Sequence, residues 1–238
     1  MKKEQQYYPM LSFKDLHTLK KPAIIAHRGA SAHAYENTID AFDKAVSMRA
    51  DGIELDVRRT RDKVLVVHHD EAITGLNIPI NKMNISEIEE FNRRSTYQIP
   101  TLEQTLKHLK GKIALDIELK ETGYATEVVD LALQYYKPDN LLFTSFKKKT
   151  IKAIHEHDNT VLTGHLLNGF NSLKINIPEW VDYILPHYPL CKIGFLKKIM
   201  TYKKPVIVWT VDNKKNGDKL LHKGVSGLVT NDPKIFIL

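Results

Sequence analysis

Apolar residues along the chain recur either at every second position or at the three-to-four spacing of a helix, and the two patterns alternate. Ala23 to Ala26 is a short apolar run that ends at His27. Ile39, Phe42, Val46 and Arg49 then recur at helical spacing, with Asn37 or Thr38 placed to cap the segment. Next, Ile53, Leu55 and Val57 alternate with Glu54, Asp56 and Arg58. One face of that strand can be buried while two carboxylates share the other. Strand, helix and strand in this order form a βαβ unit.

The pattern weakens between Asp70 and Pro100. There Ser86-x-x-Glu89 reads as a capping box for a short helix through Phe91, in an insertion above the sheet. Thr101-x-x-Gln104 opens a clearer helix, with Leu102, Leu106 and Leu109 on one side and Gly111 as its stop. In the strand that follows, Ile113, Leu115, Ile117 and Leu119 alternate with Ala114, Asp116, Glu118 and Lys120, so two acids and a lysine share a face. Helices at 124–136, 147–157, 190–202 and 214–222 alternate with strands at 141–145, 160–164, 181–185, 206–211 and 227–230, and a less regular helix precedes 181–185. Leaving aside a hairpin arm at 64–67, the count is eight strands. This predicts an α/β fold of the (β/α)8 TIM-barrel type, with a β-hairpin and short insertion after the second strand. Residues 1–21 read as a polar N-terminal extension and 22–238 as a single domain. With Arg61-Asp62-Lys63 as a symmetric turn, paired residue numbers sum to roughly 125, which sets His69 opposite Asp56.

A length of 238 residues suits one such barrel, and 42% hydrophobic with 26% charged residues is globular composition, which excludes a disordered chain. Cys191 is the single cysteine, so no internal disulfide is possible, and nothing near it resembles a thiolate metal cluster. The N-terminal stretch lacks the apolar core of a signal peptide, and there is no spanning apolar run. Together these predict a cytoplasmic protein without stable membrane insertion. The net charge of +7 raises a second function class, a non-catalytic basic module for nucleic acid or membrane. The excess is scattered over Lys147-Lys148-Lys149, Lys197-Lys198, Lys203-Lys204 and Lys214-Lys215, on predicted helices or their flanks, where a solvated face accounts for it. No helix-turn-helix, aromatic nucleic-acid motif or zinc knuckle accompanies these runs, so no nucleic-acid partner is expected.

The polar faces carry the chemistry. Adjacent carboxylates such as Glu54 and Asp56 repel, and either a proton or a cation must sit between them. With Glu118 they form an oxygen-only set suited to one hard divalent cation, Mg2+ or Ca2+. Of 11 histidines, His27 and His69 stand out as general acid/base candidates at strand-end motifs, whereas His17, His155, His157 and His222 lack that context. His68 should face away from the site if His69 faces in. Arg28 can fork onto a phosphate and Lys120 can add a point charge. Glu36 and Asn37 suit capping and orientation, while Phe146 and Trp209 suit either the core or the lining of a pocket. Asp116, one step deeper, reads as a structural partner. This set suits metal-assisted attack on an anionic ester.

His27-Arg28-Gly29, Glu36-Asn37-Thr38, Glu54-x-Asp56 and His69-Asp70 resemble, in order and spacing, the motifs of the glycerophosphodiester phosphodiesterase family. The likeness continues through Leu115 to Lys120, Thr144-Ser145-Phe146, Trp209 to Asp212 and Gly224 to Pro233. The resemblance implies hydrolysis of a small-molecule glycerophosphodiester to sn-glycerol 3-phosphate and an alcohol. A lysophospholipid-cleaving enzyme of the lysophospholipase D type, or one cleaving sugar phosphates or phosphoinositides, would share the site. Asp212 and Asn231 stand where the family more often has Asn and Asp, a departure that touches substrate contacts and loop geometry but not the acid triad. Either histidine can be the acid, and either water or a neighbouring glycerol hydroxyl can attack, the latter through a cyclic intermediate. No segment bears on oligomeric state.

Overall fold

The alternating pattern closes into a barrel. In the computed structural model, which describes residues 10–18, 21–169 and 175–237, the wall is made by β1 (Ala23–His27), β2 (Gly52–Arg59), β4 (Ala114–Leu119), β5 (Leu141–Ser145), β6 (Leu162–Leu167), β7 (Tyr183–Pro186), β8 (Ile207–Val208) and β9 (Gly227–Thr230). These eight are parallel and neighbour one another in chain order, with β9 paired back to β1. At the β7/β8 seam the parallel bridges Ile184–Val206 and His187–Trp209 complete the ring. Outside lie α1 (Ile39–Ser47), α3 (Leu102–Leu109), α4 (Ala125–Leu133), α5 (Lys148–His157), α6 (Ile193–Met200) and α7 (Lys214–Leu221). The antiparallel arm β3 (Leu65–Val67) and α2 (Ile85–Arg94) belong to the insertion after β2. No helix among the described residues is long and apolar enough to cross a membrane.

Each strand divides its side chains between two cores. Ile53, Leu55, Val57, Leu115, Ile117 and Leu119 point outward and are buried with Phe42, Leu106 and Val128 of the helices. The inward set at the lower end, Ala23, Ile25, Ala114, Leu142 and Ile207, packs instead around Phe13 and Leu16. Those two residues lie on a 3-10 turn, Phe13–Thr18, within the stretch read as a polar extension, and Phe13 is 0% exposed. The Tyr183 hydroxyl donates to the Phe13 carbonyl, and Asn140 Nδ2 donates to the Leu11 carbonyl at 2.7 Å. The insertion has its own small core of Val66, Ile73, Ile80, Met83, Ile88 and Ile99.

Four local expectations change. The hairpin pairs Val57 with Val67 and Arg59 with Leu65. Its loop holds three residues, with Lys63 in the left-handed region at φ +68°, so the centre falls on Asp62 and His68, not His69, stands opposite Asp56. The box that opens α2 is Asn84 with Glu87, whose carboxylate accepts the Asn84 N–H at 2.7 Å, two residues before the expected one. Strand β6 continues past Gly164 because that glycine lies against its neighbours. A Cβ there would come within 2.5 Å of Leu185 and 2.8 Å of Thr144. Between β6 and β7, residues 168–169 and 175–182 are not helical: Pro178 interrupts the run, and Ile177 and Val181 are buried without it. The rest of the helix expected there lies outside the described residues.

Because Phe13 fills the lower end of the barrel, Phe13→Ala is expected to lose about 3–5 kcal/mol of stability. Urea unfolding should show a lower midpoint at an unchanged slope.

Candidate active site

The parallel register brings the site together at the upper strand ends. His27 stands beside Glu54 on β1 and β2, and Asp56 stands beside Glu118 on β2 and β4, all on the inward face. Glu54, Asp56 and Glu118 each offer an oxygen within 4.8 Å of the others. The loop after β1 turns sharply, with Arg28 at φ +55° and Gly29 at φ +81°. A Cβ on Gly29 would lie 2.7 Å from the Ala41 backbone, so only glycine lets this loop rest on α1. The turn aims the Arg28 N–H at Glu54 Oε2, 2.9 Å away. Its guanidinium spans Asp56, at 3.3 Å from Nε, and Glu36, at 2.9 Å from Nη1. Asn37 leaves the capping of α1 to Thr38 and grips Asp56 instead: its Nδ2 donates to Oδ2 at 2.8 Å, and its Oδ1 accepts the Asp56 N–H at 3.2 Å.

The charges are unevenly settled. Burial works against the Asp56 anion, but Lys120 and Arg28 outweigh it and hold this carboxyl well below its ordinary range. Glu54 goes the other way, pushed well up by burial and then by Asp56 and Glu118. Burial and the Asp56 charge raise Glu118 to about 7, and burial raises Asp116 to about 8. Lys120 Nζ lies 3.1 Å from Asp56 Oδ1 and 2.7 Å from Glu118 Oε1, and neither sealed oxygen has a hydrogen-bond partner otherwise. A buried acid set that must retain protons when alone, made only of oxygen donors with spare lone pairs, fits a hard divalent cation.

Both expected histidines face the same small cavity, of about 120 Å³, which is also lined by Arg28, Lys120, Phe146 and Trp209. His27 Nε2 is 3.9 Å from Glu54 Oε2, and its Nδ1 meets Asn231 Oδ1 at 2.7 Å. His69 Nδ1 meets Asp70 Oδ1 at 2.8 Å. Burial lowers both rings from their ordinary value. Although the register differs from expectation by one residue, His69 still lines the cavity, and His68 is buried away from it. Arg58 accounts for this. Its Nε and Nη2 donate to the His69 carbonyl at 2.9 and 2.6 Å, while Nη1 pairs with Glu121. Phe146 and Trp209 meet edge to face at 5.5 Å, and Trp209 Nε1 donates to the Leu185 carbonyl at 2.8 Å.

Three groups make contacts at the site that the sequence pattern alone does not show. Asp116 lines the cavity floor, with Oδ1 accepting from Thr144 at 2.8 Å and Oδ2 buried without a partner. Its place on the inward face with Glu118 was the available signal. Arg58, similarly, shares the face of Glu54 and Asp56. Asp212 and Asn231 join behind His27, and no spacing in the sequence links them to it.

Residues 27–235 match the model of the glycerophosphoryl diester phosphodiesterase family. YhdW of Bacillus subtilis strain 168 is 35% identical over 234 residues, covering 90% of this chain and 96% of its own. A glycerophosphodiester phosphodiesterase of Caldanaerobacter subterraneus subsp. tengcongensis is 26% identical, over 91% of this chain and 97% of its own. Among solved structures, an Oleispira antarctica phosphodiesterase in complex with the product sn-glycerol-3-phosphate superposes with a TM-score of 0.77 at 21% identity, over 90% of this chain and 94% of that one.

If Arg58 anchors the segment that carries His69, Arg58→Ala should speed amide hydrogen exchange over residues 68–73 while β1 and β4 stay protected. Unchanged exchange in 68–73 would mean that the segment is held by the insertion core alone.

Proposed function

Because the chain belongs to the glycerophosphoryl diester phosphodiesterase family, an enzyme family of phosphodiester hydrolysis, we propose that it converts a glycerophosphodiester and water into sn-glycerol 3-phosphate and an alcohol, with one bound Mg2+ or Ca2+ and with His27 and His69 as the proton-transferring pair. The observation that carries this reading is the convergence of three buried carboxylates, two imidazoles and two cationic side chains on one cavity. Glu54, Asp56 and Glu118 would hold the cation, which supplies charge neutralisation and polarises a phosphoryl oxygen.

The residues of the chain divide the remaining work. Arg28 and Lys120 flank the acids and bind the phosphate, compensating the charge that grows on its oxygens. Glu36 and Asn37 keep Arg28 and Asp56 in place. His27 is the deeper ring: burial and Arg28 keep its imidazole neutral against the opposing pull of the Asn231 amide oxygen on Nδ1, so it takes a proton from the attacking oxygen through Nε2. His69 is the less buried ring, and the Asp56 charge and the Asp70 carboxylate on its Nδ1 offset part of the effect of burial, so of the two rings His69 is the one assigned to give a proton to the departing alkoxide.

Orientation follows from cavity size. Phe146, Leu166, Leu185 and Trp209 supply the apolar part of the lining, and a cavity of about 120 Å³ favours a small polyol such as glycerol over an acyl chain. This supports a deacylated glycerol half inside and the alcohol outward, in preference to a lysophospholipid. The product-bound Oleispira enzyme supports the same choice of product. The free, buried Cys191 supports a reducing compartment, which we take to be the cytoplasm.

At about a hundred times its Kd, Mg2+ or Ca2+ should stabilise the fold by roughly 2.7 kcal/mol, read by calorimetry, with the gain lost in Glu54→Gln and Glu118→Gln; no shift in the wild-type protein would remove the cation from the reading. His27→Ala and His69→Ala should each lower turnover by about a hundredfold to ten-thousandfold. The wild-type kcat/KM profile should be bell-shaped, with an acid limb below pH 6.5 because burial and Arg28 keep His27 neutral there. A p-nitrophenyl diester, whose leaving group needs no proton, should restore His69→Ala and not His27→Ala. Mass analysis should find glycerol 3-phosphate, and phosphocholine as the only phosphorylated product of glycerophosphocholine would reverse the orientation.

A further inference from the structure

Behind His27 a chain of hydrogen bonds runs to a carboxylate that touches neither the cavity nor the acid set. Asn231 Oδ1 lies 2.7 Å from His27 Nδ1 and accepts from Ser31 Oγ at 2.9 Å. On its other side, Asn231 Nδ2 donates to Asp212 Oδ2 at 2.6 Å and the Asn231 N–H donates to Asp212 Oδ1 at 2.8 Å. Thr230 Oγ1 is the third donor to this carboxylate, reaching Oδ1 at 3.0 Å.

The donor inventory fixes the orientation of the amide. A carboxylate only accepts, so the nitrogen of Asn231 must face Asp212 and its carbonyl oxygen must face the ring and the serine. With a carbonyl there, a neutral His27 must carry its proton on Nδ1, which leaves the Nε2 lone pair free on the Glu54 side. The reversed amide would aim an N–H donor at Nδ1 and draw the ring proton to Nε2, leaving that nitrogen without the lone pair that a base needs.

We propose that Asp212 is a positioning residue that selects the Nδ1–H tautomer of His27 by locking the Asn231 amide. The inference rests on the reading that His27 takes a proton through Nε2, and it adds what makes that nitrogen available. The intervening amide matters as much as the acid. A carboxylate in direct contact with Nδ1 would favour the imidazolium, whereas an amide passes on orientation and leaves the ring neutral. During turnover Nε2 gains the proton of the attacking oxygen, while Nδ1 keeps its own on Asn231 Oδ1. Asp212 also lines an open cleft of about 480 Å³ with Ser31, Glu36 and Asp232, so its removal leaves no sealed hole in the core.

The test reads the ring itself. Long-range 1H–15N correlation spectra of the full chain with Mg2+ bound, at alkaline pH, report which nitrogen of His27 is protonated, and the signal is identified by its loss in His27→Gln. The wild type should carry the proton on Nδ1. Asp212→Ala should raise the Nε2–H fraction and lower kcat by roughly ten- to hundredfold, with KM within about twofold. Asp212→Asn, which keeps one acceptor oxygen, should show the same shift to a smaller degree. The exchange Asp212→Asn with Asn231→Asp puts a carboxylate against Nδ1 and should restore the Nδ1–H tautomer. A wild-type ring protonated on Nε2, or a tautomer unmoved in Asp212→Ala whatever happens to kcat, overturns the proposal. Wild-type turnover by His27→Gln overturns instead the catalytic reading on which it rests.

Discussion

The ends of β2 and β4 bring acids together where water is scarce, and much of the rest answers that fact. Two full charges 4.8 Å apart repel by about 3.5 kcal/mol at an effective dielectric near 20. Against a typical total stability of about 5–15 kcal/mol, one such term left uncompensated is a large share. The parallel register makes the encounter unavoidable, since it sets Asp56 beside Glu118 and Glu54 beside Asp116. Arg28, Lys120 and Asn37 converge on Asp56 and hold it as the anion, while burial and the neighbouring acids push Glu54 and Glu118 toward their protonated forms. The loop after β1, the glycine that lets it settle on α1, and the pairing of Arg28 with Glu36 all serve to deliver that one guanidinium.

The division of each strand into an outward apolar set and an inward polar set was legible because a strand has a period of two. Ile53, Leu55 and Val57 against Glu54, Asp56 and Arg58 sufficed to place two acids and an arginine inside the barrel. Alternation of these segments with helical spacing gave the barrel, and the motifs gave His27, His69 and Glu118. The hairpin register was less legible, because loops of two and three residues are equally compatible with Arg61-Asp62-Lys63, and the choice shifts every pair by one. His69 reaches the cavity regardless, because it lies just past β3 and is held through its carbonyl by Arg58, so its direction does not follow the ladder.

What stayed hidden depends on contacts between distant segments. Asn231 lies 204 residues from His27, and Arg58 lies 63 from Glu121. No local pattern encodes such meetings; only closure of the barrel creates them. The depth that marks Asp116 as a structural partner, held by the Thr144 hydroxyl, also sets it on the floor of the cavity. The N-terminal stretch was read as polar by its average, an average that conceals two inward-facing apolar residues, Phe13 and Leu16.

Phe13 also bears on the order of events at the ribosome. It precedes every strand that contributes to its core, β1, β4, β5, β6, β7, β8 and β9, of which β9 with Val229 is the last to be made. The plug must therefore wait, unburied or borrowing temporary cover, until β9 has emerged. Closure at that end of the barrel joins segments far apart in sequence, and such contacts are the slow ones to form.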